Sequence, residues 1–160
     1  MAKSVGKWLT IILVVCSAAM WVWDMTRSVY RLENVQEGDW VARGEWIEAG
    51  CFDGGKTGTV WYDFPVSEPL SVEASSEVFV PDRQVKAAIG YAVGQEICVK
   101  GDGSLGVQDT GPVRVLCRVL DRTYTAEQVQ YAGWQRQEVR REKITFYVPS
   151  GTWEVRSEPL

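Results

Sequence analysis

The sequence predicts a mainly β protein: an N-terminal tail and single transmembrane helix over residues 1–30, then a small β-barrel or sandwich domain over residues 31–160 with one or two short helices. Three observations carry that expectation. Residues 8–23, WLTIILVVCSAAMWVW, hold no charged side chain. Beyond residue 38 the chain is dominated by short runs rich in Val, Ile, Trp and Tyr, set apart by Gly and Pro. At 160 residues, with no internal repeat and no low-complexity linker, the length suits one compact domain and not two.

The uncharged run comes first. Its sixteen residues rise about 24 Å as a helix, short of a hydrocarbon core roughly 30 Å thick. Val5, Gly6 and Met25 extend the span, and Lys7 can snorkel outward. Trp8 stands at one end and Trp21 with Trp23 at the other, the positions of an interfacial aromatic belt. Two processing readings compete with a retained anchor. Ser17-Ala18-Ala19 fits signal-peptidase cleavage after Ala19, and Leu13-Val14-Val15-Cys16 resembles a lipoprotein box with Val15 where a small residue belongs. Met20, Trp21, Val22 and Trp23 keep the segment apolar beyond the cleavage point, which favours the anchor.

Lys3 and Lys7 precede the run, so the basic tail is expected to stay in the cytoplasm and the domain to be exported. The expected location is therefore a bacterial inner membrane, with the domain periplasmic, or a viral membrane. Setting those two lysines apart leaves 15 basic residues against 21 acidic ones, a net charge of −6 for the rest of the chain. Such a domain has no general attraction to anionic headgroups, which leaves the helix as its link to the bilayer.

Residues 24–37 read as a polar connector, with the membrane helix able to continue to Tyr30. Strands are then expected at 39–50, 57–64 and 70–80, the last bounded by Pro69 and Pro81. Residues 82–93 read as a helix capped by Asp82 and stopped at Gly94, although Ile89 and Tyr91 also suit a strand. Strands at 96–101 and 112–120 flank GDGSLGVQDTG, which reads as their hairpin connection. A second helix is expected from Thr125, where Thr125 and Gln128 form a capping box, to about Glu142. Residues 143–148 and 152–157, joined by Pro149-Ser150-Gly151, close the chain as a hairpin.

The cysteines follow from those strands. Cys16 is an apolar packer in the membrane run. A hairpin between 96–101 and 112–120 sets Cys98 opposite Cys117, close enough for a disulfide in an exported domain. The alternative is three reduced thiols at Cys51, Cys98 and Cys117.

Composition excludes much chemistry. There is no histidine, which removes the Ser-His-Asp and Cys-His machineries and histidine-ligated metal or haem. Net charge −4 gives no reason to expect nucleic acid. Asp53, Asp63, Asp82, Asp102 and Asp109 fall in expected loops or element ends, where aspartate forms turns. GDGSLG lacks the Lys-Ser/Thr of a phosphate loop. Asp102 and Asp109 lack the spacing of a calcium loop. No catalytic, cofactor or metal residue is therefore expected.

Arg136, Arg140, Arg141 and Lys143 cluster on or after the second expected helix, with Arg136 and Arg140 on one face. They read as a solvated face or as a docking patch for an acidic partner. Eight tryptophans in 160 residues are unusual. Of those outside the membrane run, Trp40, Trp46, Trp61, Trp134 and Trp153, most should be core, while Trp40 and Trp46 lie near enough to the anchor to serve an interface.

An apolar anchor, then Gly44-Glu45-Trp46-Ile47, then a Y-x-V-G-Q-x-hydrophobic segment over residues 91–97 resembles a common family of bacterial single-pass membrane proteins of unknown function that carry a small β-domain. The likeness covers roughly half the chain, and the segment after Lys100 departs from that pattern. It implies a compact β-domain near the bilayer and no activity.

The functional expectation is a non-enzymatic accessory subunit. Its helix inserts among other membrane helices, and its domain docks on the periplasmic side of a larger membrane complex through Trp40, Trp46, Arg136, Arg140 and Arg141. The alternative is a membrane-anchored periplasmic binding module for a small ligand, peptide or glycan.

Overall fold

A computed structural model describes residues 12–23, 27–53, 58–108, 111–133 and 135–160. Residues 12–23 form helix α1. The strands are β1 (Val29–Val41), β2 (Ile47–Phe52), β3 (Gly58–Pro69) and β4 (Ser71–Ala74), followed by helix α2 (Asp82–Ile89). Strands β5 (Glu96–Val107), β6 (Val113–Ala132) and β7 (Gln137–Pro159) complete the chain. The protein is mainly β, as the sequence predicts. No helix among the described residues is long and apolar enough to cross a membrane.

The frame is the antiparallel pair of long strands β6 and β7. On its other side β6 meets two partners in turn: β1 along residues 121–131 and β2 along residues 113–117. β4 adds to β7 at residues 144–147, which completes a five-stranded sheet. The second sheet is the antiparallel pair β3–β5. Both inner faces feed one core: Val60, Phe64, Ile97, Val99 and Val107 from the small sheet, and Val113, Val115, Cys117, Val119, Ile144, Phe146 and Val148 from the large one. Strict alternation produces this. In β5 the buried positions 97, 99 and 101 are separated by exposed ones, because a strand turns successive side chains to opposite faces.

Several expectations are corrected. Residues 29–37 are strand, so no polar connector or helical continuation runs to Tyr30. Within 70–80 only Ser71–Ala74 is strand. The segment after it is pinned by Gln128, whose buried amide accepts from Phe79 N at 2.6 Å and Val80 N at 3.1 Å and donates to Glu77 O at 3.2 Å. α2 stops at Ile89, not at Gly94, because Gly90 takes the left-handed conformation at φ 98° and closes the helix onto Lys86 O.

The expected helix over 125–142 is instead the second half of β6, a turn, and the start of β7. Gly133 at φ 74° and Arg136 at φ 50° turn the chain back, and Arg136 N donates to Gly133 O. Nor do residues 143–148 and 152–157 pair with each other. Both belong to β7 and both pair with β6, and Pro149-Ser150-Gly151 belongs to a bulge: Val119 faces Trp153 but Asp121 faces Pro149.

GDGSLG is not a connection but belongs to the second half of β5. Gly101 faces Phe64 and Gly103 faces Tyr62 across the strand pair. A Cβ at Gly101 would lie 2.5 Å from the Phe64 ring, and one at Gly103 would lie 2.5 Å from the Tyr62 hydroxyl. The glycines are there so that two aromatic side chains can cross the neighbouring strand.

Candidate functional site

The sequence-predicted residues are scattered. Trp8 lies outside the described residues, whereas Trp21 and Trp23 lie on α1 at 67% and 70% exposure. The guanidinium of Arg27 sits 5.9 Å from the Trp23 ring. Cys98 and Cys117 are not opposite each other: Cys98 faces Ser67 in the small sheet, and Cys117 faces Ile47 and Val155 in the large one. The expected hairpin fails because β5 takes β3 as its partner. Both thiols are free, Cys98 exposed and Cys117 buried, with burial pushing the Cys117 thiol up.

Trp40 and Trp46 do share one neighbourhood. Arg114, Arg118 and Arg122 recur at half-buried positions along β6, between residues that point into the core. Each reaches a glutamate: Glu158 at 3.2 Å, Glu154 at 2.6 Å and Glu37 at 2.6 Å. Arg118 and Arg156 bring guanidinium carbons to 4.6 Å and 4.0 Å from the Trp46 ring, and Arg122 lies 4.5 Å from the Trp40 ring. The indole faces thus rest on cations, a favourable arrangement. Trp40 remains 45% exposed and Trp61 77%, so these two are not core, and Trp46 and Trp153 are half-buried. Trp134 lies outside the described residues.

The arginine cluster is divided. Helical spacing does not relate Arg136 to Arg140, because Arg136 lies in the turn before β7 and only Arg140 lies in the strand. Arg136 sits in the β6–β7 turn and donates to Arg27 O at 3.2 Å. Arg140 pairs with Glu142, whose carboxyl is held below its ordinary range first by the Ser76 hydroxyl. Arg141 is the hub of a separate network with Glu138, Glu127 and Glu33. Glu138 and Glu127 raise the Arg141 pKa; Glu127 is lowered first by Asn34 and then by Arg141.

A site that sequence reading missed lies at the gap between β1 and β2 along β6. On β6 the inward positions read Val115, Cys117, Val119 and then Asp121; on β3 they read Val60, Tyr62, Phe64, Val66 and then Glu68. An acid interrupts the apolar pattern of each strand, and the two acids line one open cleft of about 290 Å³ with Arg43, Gly44, Glu45, Pro69 and Ser71. The local topology explains the cleft. β1 leaves β6 after pairing Val41 with Asp121, and β2 joins at Ile47 opposite Cys117, so neither pairs with Val119. Residues 42–46 pass over the gap, and the β7 bulge lies on the other side of β6.

Asp121 is 5% exposed, and its Oδ1 is buried without a hydrogen-bond partner. Burial raises its pKa, with Arg43 pulling the other way. Burial raises Glu68 as well, followed by the charge of Asp121. Arg43 forms no ion pair among the described residues. Its guanidinium stacks 3.8 Å from the Tyr147 ring and donates to Ser71 Oγ at 3.5 Å. Tyr147 in turn donates to Glu73 at 2.8 Å. The signal for this site was present as a break in two-residue periodicity.

No family model matches the chain, and no curated protein matches it. Among solved structures it is similar to the parasporin-2 toxin of Bacillus thuringiensis, described as recognising cancer cells. That similarity has a TM-score of 0.29 and 8% identity, over 84% of this chain and 72% of that one, too slight to place the two in one fold.

Proposed function

We propose that this protein is a membrane-anchored, non-enzymatic accessory subunit whose β-domain docks on a larger assembly. One observation carries the reading. The large apolar residues of α1 from Ile12 to Trp23 are each 57–70% exposed, so the domain does not cover its own most apolar helix. Apolar surface of that extent needs lipid or other helices around it. Arg27 over Trp23 gives the end of the helix the paired aromatic and cation of an interfacial anchor. The domain surface around Trp40 and Trp46, with its arginines already paired to glutamates, has the residue types that interfaces favour.

Extraction in mild detergent followed by native electrophoresis and mass spectrometry tests this. The expected result is co-migration with partner proteins. Migration of the chain alone would overturn it.

A second reading, a membrane-anchored binding module, is favoured by the cleft at Asp121 and Glu68. A binding module deprived of residues 1–26, which leaves β1 whole, should stay monomeric and gain stability with its ligand, whereas a docked subunit should aggregate or lose its partners.

A further inference from the structure

We infer that the cleft between Glu68 and Asp121 is a binding site for a primary ammonium group, carried by a small amine or by a lysine side chain. This inference supplies the ligand class of the binding-module reading, and it stands whether or not α1 occupies a bilayer. A carboxylate taken out of water is costly unless it is paired. Asp121 is 95% buried (5% exposed) and its Oδ1 is unpaired, so the fold holds in place an acceptor that it does not itself satisfy. Glu68 stands beside it, also without an ion pair among the described residues. The third acceptor is the Val119 carbonyl, which neither β1 nor β2 pairs and which lies against Gly44.

An ammonium carries three donors on a compact charge, which suits a site whose polar groups are acceptors. Gly44 keeps the approach open: a Cβ there would stand 3.0 Å from Glu68 Oε1 and 3.3 Å from Val119 O. A divalent metal fits less well. No group of three or more carboxylate or thiol side chains among the described residues could hold one. Arg43, fixed on Tyr147 at the rim, places a positive charge beside the site, which repels a divalent ion about twice as strongly as a singly charged ammonium. The cleft, at about 290 Å³, has room for an alkylammonium with its water.

The test is calorimetric titration of the full chain in detergent with two probes, 1,5-diaminopentane and N-acetyl-lysine amide. The Nε-acetylated form of the second, which has lost its charge, and calcium chloride are the controls. At least one probe should bind with a dissociation constant of about 1 mM or tighter, and its affinity should fall by about tenfold or more in Asp121→Asn and in Glu68→Gln. Thermal melts of both variants establish that they are folded; if one is not, the other carries the test. Binding of the diamine alone identifies a free amine as the ligand, and binding of the lysine amide identifies a protein side chain. The inference is overturned if neither probe saturates, if both variants bind like the unaltered chain, or if calcium binds the site more tightly than either probe. None of these failures touches the anchored-subunit reading, which rests on the fractionation experiment.

Discussion

Replacing Asp121 by Asn should make the empty protein more stable at neutral pH. The side chain keeps its shape and loses its charge. An unsatisfied buried polar group costs about 1–3 kcal/mol, more when ionised, and the amide retains part of that cost, so the expected gain is about 1–2 kcal/mol. For a chain of this size that corresponds to a rise in Tm of roughly 2–8 °C.

The pH dependence follows from the direction of the shift. Burial raises the Asp121 pKa above its ordinary 3.8, so between that value and the raised one the folded state binds more protons than the unfolded state. The carboxyl's favourable contribution is therefore complete below pH 3.8 and is lost as pH rises through the raised pKa. Glu68 behaves in the same sense. The advantage of Asp121→Asn should thus be greater at pH 7 than at pH 5 and shrink towards zero near pH 4. Paired melts of the two proteins in one detergent at a series of pH values measure it. A variant that loses more than about 1 kcal/mol at pH 7 would show that the carboxylate is satisfied, and a gain that persists at pH 3 would show that charge is not its source.

Substitutions at Gly101, Gln128 and Trp46, with a control at Gly106, address the rest of the frame. Gly101→Ala drives a methyl to within 2.5 Å of the Phe64 ring and 3.1 Å of Trp153. It should cost about 1–3 kcal/mol in urea unfolding, whereas Gly106→Ala, with nothing within 4 Å, should change stability by less than about 0.5 kcal/mol. Gln128→Leu removes the acceptor of two backbone N–H groups and one donor from a residue 3% exposed. It should cost about 2–4 kcal/mol and speed amide exchange at Phe79 and Val80. Trp46→Ala withdraws the ring shared by Arg118 and Arg156 and should cost about 1–2 kcal/mol, with Trp46→Phe recovering part, both read by chemical denaturation.

The sequence was most legible where side chains alternate without interruption. The strands expected at 57–64 and 96–101 are strands over residues 58–64 and 96–101, where buried Val60, Phe64, Ile97 and Val99 alternate with exposed positions. Residues 125–142 misled for a physical reason. Thr125 and Gln128 have capping-box spacing and Arg136 with Arg140 has helical spacing, but the energetic partners of this stretch are across strands. Glu33, Glu127 and Arg141 meet from β1, β6 and β7, and only tertiary pairing brings them together. The register shift between Gln130 and Tyr131 further blurs the two-residue period. Pro149-Ser150-Gly151 has turn chemistry, and a bulge uses the same chemistry. Periodicity could have flagged Asp121 and Glu68 as acids at inward positions, since departures from a strand's pattern concentrate at functional or strained sites. It could not have shown that they face one cleft, because they belong to different sheets.

The most direct measurement concerns α1. Cys16 lies on the helix, Cys51 and Cys98 are exposed on the domain, and Cys117 is buried. In intact bacterial cells expressing the chain with its outer membrane permeabilised, a membrane-impermeant maleimide should modify Cys51 and Cys98 and spare Cys16 and Cys117, with the protein remaining in the membrane pellet after alkaline carbonate. Modification of Cys16 at the same rate as Cys98, with release of the chain by carbonate, would contradict an anchored domain.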